Sequence, residues 1–146
     1  MSDALAAAPA HPELTARVQL RFADVHAGGH VASTAVPLLF DEARVRTLGW
    51  GGPGSPAGGL LRLAGDDAVV LVGQATTEYV REIRYRGQDV EIRSWVSGLG
   101  GARWAMSAVL LDGGDVAALH EATLVLGSMT TGRPLPLRGH LTDLPA

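Results

Sequence analysis

The stretch Arg21-Phe22-Ala23-Asp24-Val25-His26-Ala27-Gly28-Gly29-His30-Val31-Ala32-Ser33-Thr34, running on into Ala35-Val36-Pro37-Leu38-Leu39-Phe40-Asp41-Glu42-Ala43-Arg44, decides the fold. It opens at the end of an alternating segment. From Arg17 to Phe22, Val18, Leu20 and Phe22 fall on one face and Arg17, Gln19 and Arg21 on the other, the period-two pattern of a half-buried strand. Gly28-Gly29 breaks that pattern with a loop. Ser33 or Thr34 then stands where a helix takes its cap, and Ala35, Leu39 and Ala43, with Val36 and Phe40 beside them, recur at helical spacing. Pro37 falls in the first turn, where a missing N–H is tolerated, and Gly49 closes the helix.

Beyond Gly49 the run Gly49–Gly59 reads as a flexible connector. Extended runs follow at Ala68–Gly73, Ala75–Tyr85, Val90–Ser97, Ala102–Leu111 and Val116–Leu126. Arg-Gly-Gln-Asp, Gly-Leu-Gly-Gly and Asp-Gly-Gly-Asp separate the later runs and supply hairpin-turn chemistry. The fold class that follows is α+β: an antiparallel sheet wrapped around one long central helix, which must lie on the concave face of the sheet to bury its apolar side. The expected organisation is an N-terminal tail over residues 1–14, one domain over 15–137 and a C-terminal tail over 138–146.

Composition narrows the class. The 146 residues, 47% of them hydrophobic, suffice for one core and hardly for two. A net charge of −3 argues against nucleic acid or an anionic membrane as partner. With no cysteine there is no disulfide, no thiolate metal site and no cysteine nucleophile, which fits a reducing compartment, the cytoplasm by default. The N-terminus carries Asp3 where a signal peptide wants positive charge, Pro9 interrupts its apolar stretch, and no run has the length of a membrane helix.

The segment from Arg21 to Val31, followed by Phe40-Asp41-Glu42-Ala43-Arg44, resembles the 4-hydroxybenzoyl-CoA and acyl-CoA thioesterases of the hotdog fold. Those proteins read Asp-x-Asp-x-x-Gly-His-Val-Asn-Asn before a helix ending near Glu-Ala-Arg. Glu78-Tyr79-Val80-Arg81, Gly87-Gln88-Asp89-Val90 and Thr131-Gly132-Arg133-Pro134 are similar to later motifs of the same family, so that the resemblance spans residues 16–137. Two departures fall on the chemistry. His26 occupies the position of the catalytic aspartate, and Ala32-Ser33 replaces the asparagine pair; Asp24 keeps the first aspartate.

The resemblance implies an acyl-CoA thioesterase acting on acyl-CoA or an acyl-carrier-protein thioester, with no cofactor required, or else a catalytically silent hotdog protein that binds acyl thioesters or serves as a structural partner. It implies a homodimer or homotetramer, with the CoA phosphates held across a subunit boundary. It also places an oxyanion donor at the helix start, on the backbone N–H of Ser33, where a helix has unpaired donors and a favourable dipole. His26 is expected to activate water, since an imidazole can take a proton at neutral pH, with Asp24 or Glu42 orienting it. Arg81, Arg84 and Arg86, together with the Gly100-Gly101 turn and Arg103, are the candidates for CoA contact. His30 is expected to hold the loop, Asp41 and Glu42 to pair with Arg44 or Arg46 at the surface, and His120 to point into the core or an interface. Trp50, Trp95 and Trp104 read as core or interface. No metal site is expected, because histidines four apart share a face only on a helix and Gly28-Gly29 oppose one there.

Overall fold

A computed structural model describes residues 13–49, 54, 61 and 65–137. Residues 1–12 of the expected N-terminal tail (1–14), the expected C-terminal tail 138–146 and most of the glycine-rich connector, Trp50 included, lie outside the described residues, and Leu14 belongs to the first strand. The elements are β1 (Leu14–Gln19), a 3-10 turn (Phe22–Asp24), α1 (Ala35–Leu48), β2 (Ala68–Tyr79), β3 (Asp89–Leu99), β4 (Arg103–Asp112) and β5 (Asp115–Ser128). All neighbouring strands are antiparallel, in the order β1-β3-β4-β5-β2. This is the α+β architecture that the sequence implies, one sheet and one long helix.

The helix buries Ala35, Val36, Leu39, Phe40 and Ala43, the face its spacing marks. They pack on Val18, Leu20, Val90, Ile92 and Leu110, the inward side chains of β1, β3 and β4. A second cluster continues the inner face, with Trp104, Met106, Leu124 and Leu126. Trp95 lies on the opposite face of the sheet with Val109, Leu111 and Leu119. Gly49 ends the helix at φ 75°, a conformation glycine adopts without a Cβ penalty, and donates its N–H to the Val45 carbonyl. Among the described residues no helix is long and apolar enough to cross a membrane.

Three local expectations change. Phe22 does not continue the inward row of β1. It is 82% exposed, edge-on to Tyr85, because Asp24 captures both the Arg21 N–H (2.8 Å) and its guanidinium (3.0 Å) and coils residues 22–24 into a turn. Thr34 occupies the cap position with helical dihedrals and no side-chain bond; a backbone bond from Ala35 N–H to the Ala32 carbonyl (2.9 Å) closes that turn instead. The runs Ala68–Gly73 and Ala75–Tyr85 form a single strand that ends at Tyr79, with Gly73 absorbed in a bulge between Val72 and Gln74.

After Tyr79 the chain leaves the sheet and crosses the loop that precedes α1. Val31 N–H donates to the Ile83 carbonyl at 2.8 Å and Tyr85 N–H to the Gly29 carbonyl at 3.0 Å. These two bonds tie residues 80–85 to the loop at 26–33. The tie creates the site.

Candidate functional site

Where the crossing segment, the loop and the start of α1 meet there is a cleft of about 380 Å³. Val31, Val36, Ile83, Ala117 and Ala118 supply its apolar lining, and His26, His30, Ser33, Tyr79, Arg81 and Glu82 its polar lining. The arrangement suits a ligand that is part hydrocarbon and part polar. Of the expected catalytic residues, His26 and Ser33 line this cleft.

Ser33 and Thr34 begin the helical turn, and their N–H groups donate to no acceptor among the described residues. Two unpaired donors at a helix start make a place for developing negative charge. Two imidazoles line the same cleft as Ser33, those of His26 and His30, 5.8 Å apart centre to centre. The ring of His26 folds back over its own loop, with Nδ1 accepting the Gly28 N–H at 2.8 Å. A neutral imidazole has one lone pair, and here it is engaged, so the proton stands on Nε2 and the ring offers a donor. Gly28 is required by that fold-back: a Cβ there would lie 2.7 Å from His26 Cε1. Gly29, at φ +81°, completes the turn.

His30 differs. Its Nε2 lies 3.3 Å from the Glu82 carboxylate, which favours the proton on Nε2 and leaves Nδ1 a lone pair with no partner among the described residues. Glu82 is distant from this loop in sequence and carries no local signal. It reaches His30 only because the chain turns out of the sheet at Tyr79.

The two expected orienting acids are elsewhere. Asp24 is buried, and both its oxygens are taken by Arg21, so it faces back into its own turn. Burial pushes its carboxyl upward, but the hydrogen bonds and charge of Arg21 outweigh that and hold it below the ordinary carboxylate range. Glu42 stands on an exposed flank of α1, where Arg46 one turn on holds it at 2.7 Å. Asp41 pairs likewise with Arg44 at 2.8 Å.

The six residues expected to contact CoA do not form one group within a chain. Arg81 lines the cleft and pairs with Asp115 at 3.2 Å. Arg86 is committed to the buried carboxylate of Asp112 at 3.1 Å. Arg84 is exposed, with no acidic partner among the described residues. Gly100, Gly101 and Arg103 form the β3–β4 turn, at the other end of a strand about 30 Å long. There the Gly100 N–H is already bonded to the Arg103 carbonyl at 2.8 Å.

His120 points inward from β5, as its alternation implies. Its ring stacks on Phe40 at 4.6 Å, its Nδ1 meets Thr77 Oγ1 at 2.8 Å, and its Nε2 is buried without a partner among the described residues. Burial holds its pKa below the usual imidazole value; Asp41 opposes that shift and Arg44 adds to it. It does not line the cleft. Among the described residues no three His, Asp or Glu side chains are grouped to hold a metal ion.

Residues 20–143 match the thioesterase-like superfamily. No curated protein matches the sequence. Among solved structures, a thioesterase of Thermus thermophilus, complexed with coenzyme A and zinc, is 25% identical at a TM-score of 0.69, covering 92% of this chain and 97% of its own. A predicted thioesterase of Bacillus stearothermophilus is 21% identical at a TM-score of 0.74, covering 91% and 94%. The DHNA-CoA thioesterase of Staphylococcus aureus is 17% identical at 0.71, covering 90% and 85%. These proteins share the sheet and helix described above.

Proposed function

The chain belongs to the thioesterase-like superfamily with a hotdog fold, and on that premise we propose that it hydrolyses an acyl-CoA, or a related acyl thioester, to the free acid and the thiol. The observation that carries this reading is the convergence, in one cleft, of Ser33, whose N–H at a helix start is unpaired among the described residues, with two imidazoles. Water adds to the thioester carbonyl carbon and gives its proton to an imidazole, while the carbonyl oxygen, now negative, is held by the Ser33 N–H. The C–S bond then breaks, and the departing thiolate takes the proton back. The lone pair of His26 is engaged with Gly28, so His30, oriented by Glu82, is the base in this reading. His26 donates its Nε2–H to the substrate.

The active unit in this reading is a dimer. Strand β2 is a twelve-residue edge that exposes Leu71, Val72 and Tyr79, with Val80 exposed just beyond its end, an edge of the kind single chains avoid. Antiparallel pairing of β2 with its copy sets opposite ends of the two sheets side by side. The partner subunit's β3–β4 turn then approaches this chain's Arg84, so that both groups can serve one CoA.

The test is thiol release from short, long and aromatic acyl-CoAs. His30→Ala is expected to lower kcat by about 100-fold or more and His26→Ala by about tenfold. Equal activity of both variants and the parent sinks the assignment. The engaged lone pair of His26 also favours a second reading, a silent acyl-thioester binder. Thermal stabilisation by CoA without thiol release from any substrate decides for it.

A further inference from the structure

Pro37 lies four residues after Ser33. Thr34 has helical dihedrals (φ −71°, ψ −22°), so the next rung of the helix ladder would run from the N–H of residue 37 to the Ser33 carbonyl. Proline has no N–H, and its ring crowds the carbonyl four residues back. The Ser33 carbonyl therefore has no partner within the helix. Tyr79, forty-six residues away at the end of the edge strand β2, supplies one: its hydroxyl donates to that carbonyl at 2.7 Å, from the wall of the cleft.

We propose that Tyr79 is a positioning residue that sets the Ser33–Thr34 peptide, so that the Thr34 N–H stands beside the Ser33 N–H as a second oxyanion donor. This rests on the thioester-hydrolase reading of the cleft. In a trans peptide the N–H points opposite to the C=O, so fixing the Ser33 carbonyl fixes the direction of the Thr34 N–H. The preceding peptide is fixed in the same way, since the Ala32 carbonyl accepts the Ala35 N–H and thereby aims the Ser33 N–H. Among the described residues one peptide is held by the local turn and the other by Tyr79. A hydrogen bond at the carbonyl also polarises the peptide and strengthens its N–H as a donor. A donor held in place before the reaction stabilises the transition state more than the ground state, so the effect belongs in kcat.

Tyr79→Phe removes the hydroxyl and keeps the ring. It is expected to lower kcat by about tenfold with KM changed less than about twofold. Pro37→Ala restores an N–H that can reach the Ser33 carbonyl, so in that background, taken as its own reference, the penalty of Tyr79→Phe should shrink below about twofold. An unchanged kcat in Tyr79→Phe overturns the proposal, as does the same loss in both backgrounds. If the parent hydrolyses no acyl-CoA, it is the hydrolase reading that fails, and amide exchange at Thr34 then decides the positioning claim. Because that N–H is unpaired among the described residues and the bond at its peptide's carbonyl makes it more acidic, exchange at least about twofold slower in Tyr79→Phe, and restored by Pro37→Ala, supports it; equal exchange in all the variants overturns it.

Discussion

The two flanks of the sheet are built from similar strands and end in opposite states. Under α1, Val18, Val90 and Ile92 are fully buried, and β1 alternates between inward and outward residues. At the other flank β2 begins with Ala-Val-Val-Leu-Val, an apolar run with no alternation, the pattern of a strand covered on both faces. Yet Leu71 and Val72 stand about half exposed. The helix packs on β1, β3 and β4, and its last residue, Leu48, shares a cluster with Ala68 at the start of β2, short of Leu71 and Val72. The difference teaches that β2 carries a pattern suited to a cover which the described residues do not provide.

The largest effect should come from removing a side chain on the covered flank. Ile92→Ala is expected to cost about 2–5 kcal/mol in urea unfolding at any protein concentration, because the cavity lies wholly within one chain. Leu71→Ala on the bare flank should cost less than about 0.5 kcal/mol in dilute protein and more as the concentration rises. A cost for Leu71→Ala that stays small at every concentration breaks the pairing of β2 with a second copy.

A smaller contrast separates two neighbouring arginines. Arg86 partners the buried Asp112 and Arg84 has no acidic partner among the described residues, so the first is structural and the second free for a ligand. Arg86→Ala should destabilise by about 1–3 kcal/mol, since a buried carboxylate loses a charged donor. Arg84→Ala should leave the melting temperature unchanged and raise KM for acyl-CoA several-fold. The reverse pattern, stability lost at Arg84 and KM moved at Arg86, would reassign both.

What was legible in the sequence was what repeats or is local. The buried face of α1 followed from Ala35, Leu39 and Ala43 at helical spacing, and the β3–β4 and β4–β5 hairpins from their glycines; Arg-Gly-Gln-Asp reads as a third hairpin, but it leads from β2 to β3, which do not pair, because β2 lies beside β5. Phe22 misled because Asp24, three residues after Arg21, folds the strand end into a turn, and a single acid interrupts no visible period. Pairs far apart in the chain left no trace: His30 with Glu82, Thr77 with His120, and Tyr79 with Ser33 meet only because the sheet order brings β5 beside β2 and the chain crosses out at Tyr79. His26 was read as the base from its imidazole and its place in the loop, neither of which shows that the Gly28 N–H points at its Nδ1.

The smallest effect is expected at the boundary between the two flanks, where His120 is stacked on Phe40 of the helix and bonded to Thr77 of the bare strand. Its folded pKa is lowered by burial. Above the ordinary imidazole range both folded and unfolded chains hold it neutral and it contributes no pH dependence. As pH falls through that ordinary value, about 6.5, the unfolded chain binds a proton that the folded one refuses, so stability declines toward acid. Asp24 and Asp67 act in another window: their carboxyls are held below the ordinary range, Asp67 by hydrogen bonds from Ser128 and Thr130, so the stability they give is present above about pH 4 and lost as pH falls further. His120→Gln has no titrating ring, and its amide can still meet Thr77. The slope of stability between about pH 7 and 5 should therefore flatten in this variant. An undiminished slope would mean that the unpaired Nε2 is reached by water or a partner in solution, and that the boundary is less closed than the ring stack implies.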